Sequence, residues 1–164
     1  MEMKHQNHLG HQESGIAMYK KLGIMLVISF IAMYILMYAM VDRFINVIPN
    51  INQFYMAALM TMPMLLIELI VMAGMYKNKK LNMALLLSGA VGLVFFFICI
   101  HQQVGVKDKQ FLKSMIPHHA AAILMVEKAD LSDPEVKKLA DGIIATQQKE
   151  IEQMKNKIKE LENK

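Results

Sequence analysis

Apolar and polar residues occur in long, separate blocks along this chain. Three blocks of about twenty residues are almost entirely apolar, and they cover residues 22–41, 54–75 and 81–100. A helix needs about 20 apolar residues to span the hydrocarbon core of a bilayer. The sequence therefore predicts three transmembrane helices, preceded by a polar tail at residues 1–21 and followed by a soluble segment at residues 101–164.

The polar tail carries three histidines at a spacing of three residues, His5, His8 and His11. They would share one face only if the tail were helical, and Gly10 and Gly15 disfavour a helix. The favoured interpretation is an unpacked tail that happens to contain histidines. A weak auxiliary metal-binding tail is the alternative.

The soluble segment has the apolar repeat of two amphipathic helices, predicted at about 108–130 and 134–162. Apolar residues recur every three or four positions in the second helix, which is the pattern of a helical seam. Asp133, followed by proline, marks the start of that helix. Pro117 is expected either to kink the first helix or to begin a new one capped by Ser114. The predicted fold class is all-α, with three transmembrane helices followed by an extracytoplasmic helical hairpin.

The positive charges beside the apolar blocks predict the orientation. One side carries six of them, Lys4, Lys20, Lys21, Lys77, Lys79 and Lys80, and the other side carries four, Arg43, Lys107, Lys109 and Lys113. Cytoplasmic loops are enriched in Lys and Arg. The N-terminus is therefore expected in the cytoplasm and the hairpin in the periplasm or outside the cell, at a bacterial inner or plasma membrane.

The composition excludes several classes of function. The net charge of +4 is spread thinly and Trp is absent, so no aromatic and basic surface for nucleic acid is evident. Cys99 is the only cysteine, which excludes an intramolecular disulfide. No nucleophile and base are arranged as in an enzyme, and no small-molecule substrate is evident. Membrane lipid is an expected partner.

Polar and sulfur-bearing side chains interrupt the apolar seam on both predicted helices of the hairpin. Met115, His118 and His119 lie within one turn of the first helix, and Glu150 interrupts the second. In an antiparallel hairpin, His119 is expected to lie level with about residues 145–146. Buried polar groups need partners, and a shared metal ion would satisfy all of them. A His–Glu hydrogen-bonded layer that sets the helix register is the alternative.

The donor types favour copper. Carboxylate-bridged iron bundles use Glu-x-x-His on their helices, and the matching positions here are Met115 and His118. A thioether with an imidazole favours a soft monovalent ion, Cu(I) or its mimic Ag(I), over iron or magnesium. No cysteine lies near these residues, which disfavours a closed structural zinc site.

At residues 111–123, 133–140 and 144–154 the chain resembles a bacterial family, the domain of unknown function 305, which includes the CopM-like copper-binding proteins. The order and spacing of the three stretches match that family. The resemblance implies a ferritin-like helical bundle outside the cytoplasm that binds copper through His and Met. The ligands that it implies are Met115, His118, His119, Met125 and Met154, and Glu150 joins them because of its place in the seam.

Many members of that family carry two hairpins in tandem, whereas this chain has one and so makes half of a ferritin-like four-helix bundle. A lone hairpin would leave half of its seam uncovered. A homodimer or a higher homo-oligomer formed through the hairpin is therefore expected. The resemblance does not account for the three transmembrane helices.

The predicted membrane helices carry candidate groups of their own. Glu68 is a carboxylate within the second helix, where an unpaired charge is costly. It is expected either to be protonated or to bond to Asn82 or Ser88, and ion or proton handling is one role for it. Met56 and Met60 share one face of the same helix. Methionine is usually packing filler, but a stripe of thioethers could also pass a soft cation.

Three functions remain open at this point. The favoured one is a membrane-anchored protein that binds Cu(I) through the hairpin, for copper tolerance or handling. The second is a copper transporter or channel that uses Met-lined spans. The third is a helical membrane protein that binds a partner without any metal.

Overall fold

The computed structural model describes the backbone of residues 2–163 and the side chains of residues 16–163. No strand occurs in this part of the chain, which confirms the all-α prediction. Two single 3-10 turns, at Met37–Met40 and Phe44–Asn46, follow the first helix. The five helices are α1 (Glu2–Leu36), α2 (Ile51–Val71), α3 (Lys79–His101), α4 (Asp108–Lys128) and α5 (Pro134–Glu162).

Three helical stretches are long and apolar enough to cross a membrane, at Ile16–Met40, Ile51–Val71 and Lys79–His101. Their number agrees with the three apolar blocks of the sequence, and their ends differ from the predicted ones by a few residues. Few of their side chains are buried within the single chain, as is expected of helices that are surrounded by lipid rather than by protein.

The first helix is longer than the polar tail led us to expect. Its backbone is helical from Glu2 onward, through Gly10 and Gly15. A glycine inside a helix costs only about 1 kcal/mol, and a helix that is already nucleated extends at little further cost. The apolar block therefore suffices to start a helix that continues into the tail. The three histidine side chains of the tail, His5, His8 and His11, lie outside the described residues.

The chain divides into two compact units. The membrane unit comprises Met1–Met33 and Tyr55–Gln102, and the tail unit comprises Tyr34–Phe54 and Gln103–Lys164. The tail unit thus contains more than the soluble segment predicted at residues 101–164, because it includes the connection between α1 and α2.

In the membrane unit, α3 comes very close to α2 at a glycine. A Cβ atom added to Gly89 would lie 2.8 Å from Cδ2 of Leu66 and 3.3 Å from Cδ2 of Leu65. Such contacts are too short for carbon atoms in van der Waals contact. A methyl group at Gly89 would therefore have to displace the Leu66 side chain of α2.

We expect Gly89→Ala to destabilise the membrane unit by about 1–3 kcal/mol, the usual cost of overpacking. Gly23→Ala is the matched control, because nothing lies within 4 Å of a Cβ atom at Gly23 in α1. Thermal unfolding of the full chain in detergent, followed by circular dichroism, measures both. Equal melting temperatures would contradict the close contact.

In the tail unit, α4 and α5 pack against each other in opposite directions. Lys109 near the start of α4 pairs with Glu162 at the end of α5, with a nitrogen-to-oxygen distance of 2.7 Å. His119 near the middle of α4 lies 2.7 Å from Glu150 of α5. The core between these helices consists of Ile116, Ala120, Ile123, Ile151, Met154 and Ile158.

The register of this pair differs from the predicted one, because His119 lies opposite Glu150 rather than residues 145–146. Counting nine residues from this pair along each helix puts Lys128 level with Asp141, so about two turns of α5 extend beyond the end of α4. The link at residues 129–133 is extended at both ends and carries the chain past α4 before α5 begins.

The N-cap prediction for α5 is confirmed. The Asp133 carboxylate accepts hydrogen bonds from the backbone N–H groups of Glu135 and Val136, at 2.8 and 3.0 Å. Of the two expectations for Pro117, the new helix capped by Ser114 is wrong, because α4 continues through Pro117 as one helix. Ser114 donates to the carbonyl of Phe111 at 2.8 Å instead.

The connection between α1 and α2 covers the other side of α4. Val41 and Ile48 pack against the core of the helical pair. Asn46 is buried, donates to the Asp42 carboxylate at 2.6 Å and accepts from the Lys155 ammonium group of α5. We expected a second copy of the chain to cover the apolar seam of the hairpin. Part of that seam is instead covered by the connection between α1 and α2 of the same chain.

Candidate metal-binding site

A cavity of about 540 Å³ lies between α4 and α5. We call it the α4–α5 pocket. It opens toward solvent and its walls are mainly apolar, with a few polar groups among them. The lining residues are Phe111, Leu112, Met115, His119, Glu150, Gln153, Met154 and Lys157.

Helix geometry brings the donor groups of the pocket together. Met115 and His119 are four residues apart on α4, and Glu150 and Met154 are four residues apart on α5, so each pair shares one face of its helix. Because the helices are antiparallel, the two pairs meet in the pocket. Two thioethers, one imidazole and one carboxylate therefore line the same cavity.

The imidazole of His119 is only partly satisfied. The side chain is buried, with 8 % of the residue exposed. Its Nε2 atom lies 2.7 Å from Oε2 of Glu150. Its Nδ1 atom is buried and has no hydrogen-bond partner among the described residues. Leaving a buried polar atom unpaired costs about 1–3 kcal/mol, so this nitrogen is a candidate for a bond to something that enters the pocket.

The pocket does not suit a hard metal ion. Among the described residues, no three His, Cys, Asp or Glu side chains are grouped closely enough to hold a metal. Any ion here would depend on the two thioethers, and sulfur with imidazole suits soft ions such as Cu(I) and Ag(I). The thioethers and the imidazole are donors of the kind that soft monovalent ions prefer.

Two of the predicted ligands lie elsewhere. His118 is exposed, and Met125 is 53 % exposed. Neither lines the α4–α5 pocket. With Phe111, which is also half exposed, they recur at seven-residue intervals and form one stripe along α4. The structure therefore separates the six predicted ligands into four that share the pocket and two that face outward.

Sequence reasoning missed the rest of the pocket wall, namely Phe111, Leu112, Gln153 and Lys157. Their spacing of three and four residues from the named donors would have placed them on the same helix faces, once the register was known. The Glu160 carboxylate, 2.7 Å from the Lys157 ammonium group, raises the pKa of Lys157. The Lys157 ammonium group therefore stays protonated and paired with Glu160 at the wall of the pocket.

In the membrane unit, Glu68 has a different partner from the expected ones. The Tyr76 hydroxyl donates to the Glu68 carboxylate at 3.2 Å. Asn82 donates to the backbone carbonyl of Tyr76 at 2.7 Å, and Ser88 donates to the carbonyl of Leu85 at 2.9 Å. The expectation that Asn82 or Ser88 is the partner of Glu68 was wrong, because the segment after α2 places the phenol of Tyr76 next to this carboxylate.

Tyr76 remains a hydrogen-bond donor at physiological pH. Burial raises the pKa of its phenol, and the hydrogen bond to Glu68 raises this pKa further. The carboxylate therefore has a neutral donor beside it. Met56 and Met60 are both exposed on α2 within the single chain, so they do not form a lined passage by themselves.

Within the described residues, the chain is an all-helical protein that combines three helices apolar enough to cross a membrane with a polar helical pair. It belongs to the family described as Domain of unknown function (DUF305), whose family model matches residues 71–158. This match confirms the family that the motifs of the sequence indicated.

The chain is also similar to "Uncharacterized protein L153" of Acanthamoeba polyphaga mimivirus. The two are 33 % identical over 149 residues, which is 86 % of this chain and 94 % of the viral protein. No solved structure matches the chain significantly.

Proposed function

We propose that this chain is a membrane-anchored copper-binding protein that binds Cu(I) in the α4–α5 pocket, for copper tolerance or handling. One observation carries the proposal. The pocket contains two thioethers beside a buried imidazole whose Nδ1 atom has no hydrogen-bond partner among the described residues. Met115, Met154 and His119 would hold the ion, and Ag(I) would bind as its mimic.

The proposed setting follows from the charges and the apolar helices. The N-terminus lies in the cytoplasm, and the α4–α5 pair forms a hairpin in the periplasm or outside the cell, at a bacterial inner or plasma membrane. Three helices that can cross a membrane support the anchoring. The copper site then lies on the outer side of that membrane, where it acts as a sink or as a relay.

A second copy of the chain is the proposed partner. The hairpin is half of a ferritin-like four-helix bundle, and the exposed stripe of Phe111, His118 and Met125 on α4 is the face that would meet the second copy. The connection between α1 and α2 covers a different face of α4. The stripe is one exposed side of α4 on which a homodimer or higher homo-oligomer would pack.

A metal-free function is the competing candidate. The hydrogen bond between His119 and Glu150 is the kind of buried polar contact that sets the register of two helices. A helical pair held in this way could serve only to bind a protein partner. Loss of His119 separates the two candidates, because only the copper site loses a ligand.

We expect His119→Ala to lower the affinity for Cu(I) by about a hundredfold or more, since even the outer partners of metal ligands are worth about 10–100-fold. His118→Ala, one residue away and exposed, is the matched control, with an expected change below about threefold. The full chain in detergent is titrated with Cu(I) against a chromogenic chelator, and circular dichroism verifies the helical content. No binding by the folded wild type would refute the copper site.

A further inference from the structure

The two ring nitrogens of His119 have different surroundings. Nε2 lies 2.7 Å from a carboxylate oxygen of Glu150, whereas Nδ1 is buried without a described partner. A neutral imidazole has one N–H donor and one acceptor nitrogen. For a neutral imidazole beside an ionised carboxylate, which only accepts, a hydrogen bond at this distance places the proton on Nε2 and leaves the lone pair on Nδ1.

We infer that Nδ1 of His119 is the nitrogen that binds the soft ion, and that Glu150 positions the ring from outside the coordination shell. This inference rests on the proposed function and goes beyond it. Glu150 stood among the predicted ligands, and the geometry gives it another role. Ligating histidines commonly donate their second N–H to a carboxylate, which fixes the tautomer and the orientation of the ring.

Burial of the two groups supports this division of roles. The His119 side chain is 10 % exposed and the Glu150 side chain is 45 % exposed. The carboxylate therefore lies toward solvent, where its charge is hydrated, and the unpaired nitrogen lies in the interior. Met115, one turn before His119, and Met154, one turn after Glu150, reach the same pocket.

The division of roles sets the metal specificity of the pocket. With Glu150 bound to Nε2, the donors left for the ion are two thioethers and one imidazole nitrogen, all of them neutral. Neutral soft donors suit monovalent Cu(I) and Ag(I), whereas divalent ions such as Zn²⁺ or Mn²⁺ prefer harder or charged ligands.

The test is nitrogen NMR of the full chain in detergent, labelled with ¹⁵N in its histidines and titrated with Ag(I). The Nδ1 signal of His119 should move and show coupling to silver, while the Nε2–H proton signal persists. If silver instead couples to Nε2, the inference is overturned and the proposed function stands. If Ag(I) does not bind at all, the proposed function itself fails.

Substitutions of Glu150 test its role separately. Glu150→Ala should weaken Ag(I) binding by about 10–100-fold, without changing the stoichiometry, and should give a mixture of His119 tautomers in the metal-free protein. Glu150→Gln should recover most of this loss, because its amide oxygen can still accept from Nε2–H. Glu152→Ala, two residues away on α5, is the control. A glutamine variant as weak as the alanine variant would show that the carboxylate binds the ion directly.

Discussion

Replacing Met115 and Met154 together with leucine is expected to lower the affinity for Ag(I) by roughly a thousandfold or more. The two sulfurs are two of the three soft donors that line the α4–α5 pocket. Outer partners of metal ligands are each worth about 10–100-fold, so removing two direct ligands should cost at least the product of such effects. This is the largest effect on binding that the site predicts.

The fold should survive this double substitution. Leucine and methionine have similar volumes, and exchanging them usually costs less than about 1.5 kcal/mol per site. Met125→Leu combined with Met83→Leu removes the same number of sulfurs from exposed positions outside the pocket. Competition titration with Ag(I) compares the two double variants. An undiminished affinity in Met115→Leu/Met154→Leu would exclude thioether ligation in this pocket.

Truncating Ile123 to alanine is expected to lower the free energy of unfolding of the tail unit by about 2–4 kcal/mol. Ile123 is 1 % exposed and lies in the core formed by α4 and α5. Removing three carbon atoms from such a position leaves a cavity that the surrounding side chains fill only in part. The loss should appear in the tail unit and not in the membrane helices.

The measurement has to be local, because the chain contains no Trp to report on unfolding. Hydrogen–deuterium exchange of the full chain in detergent, resolved by mass spectrometry, reports on the amides of α4 and α5 separately from those of α2 and α3. Leu139→Ala is the control, since Leu139 is 65 % exposed and surface substitutions usually stay within about 0.5 kcal/mol. Equal effects of both variants would contradict the assignment of the core.

Local signals predicted several parts of the fold. Asp133 and Pro134 lie next to each other in the sequence, and the cap that they form depends only on the first turn of α5. The three apolar blocks predicted three helices because the length of a bilayer span follows directly from composition. The motif around Met115 and His119 indicated the family without any tertiary information.

The candidate site was predicted only in part. The type of donor follows from the residues themselves, so thioethers with imidazole indicated a soft ion at the sequence level. Which donors meet depends on the register, and a shift of a few residues exchanges one helix face for another. His119 therefore lies beside Glu150 and shares the pocket with Met154, whereas His118 and Met125 lie on the exposed face of α4.

By itself, the sequence determined the three apolar helices, the Asp133 cap of α5, the family and the types of donor, because each of these depends on residues close together along the chain. Only the tertiary structure decided the pairing of His119 with Glu150, the phenol of Tyr76 beside Glu68 and the cover of Val41 and Ile48 over α4. Whether these residues come into contact depends on the conformation of the segments that connect the helices. No local pattern in the sequence specifies that conformation.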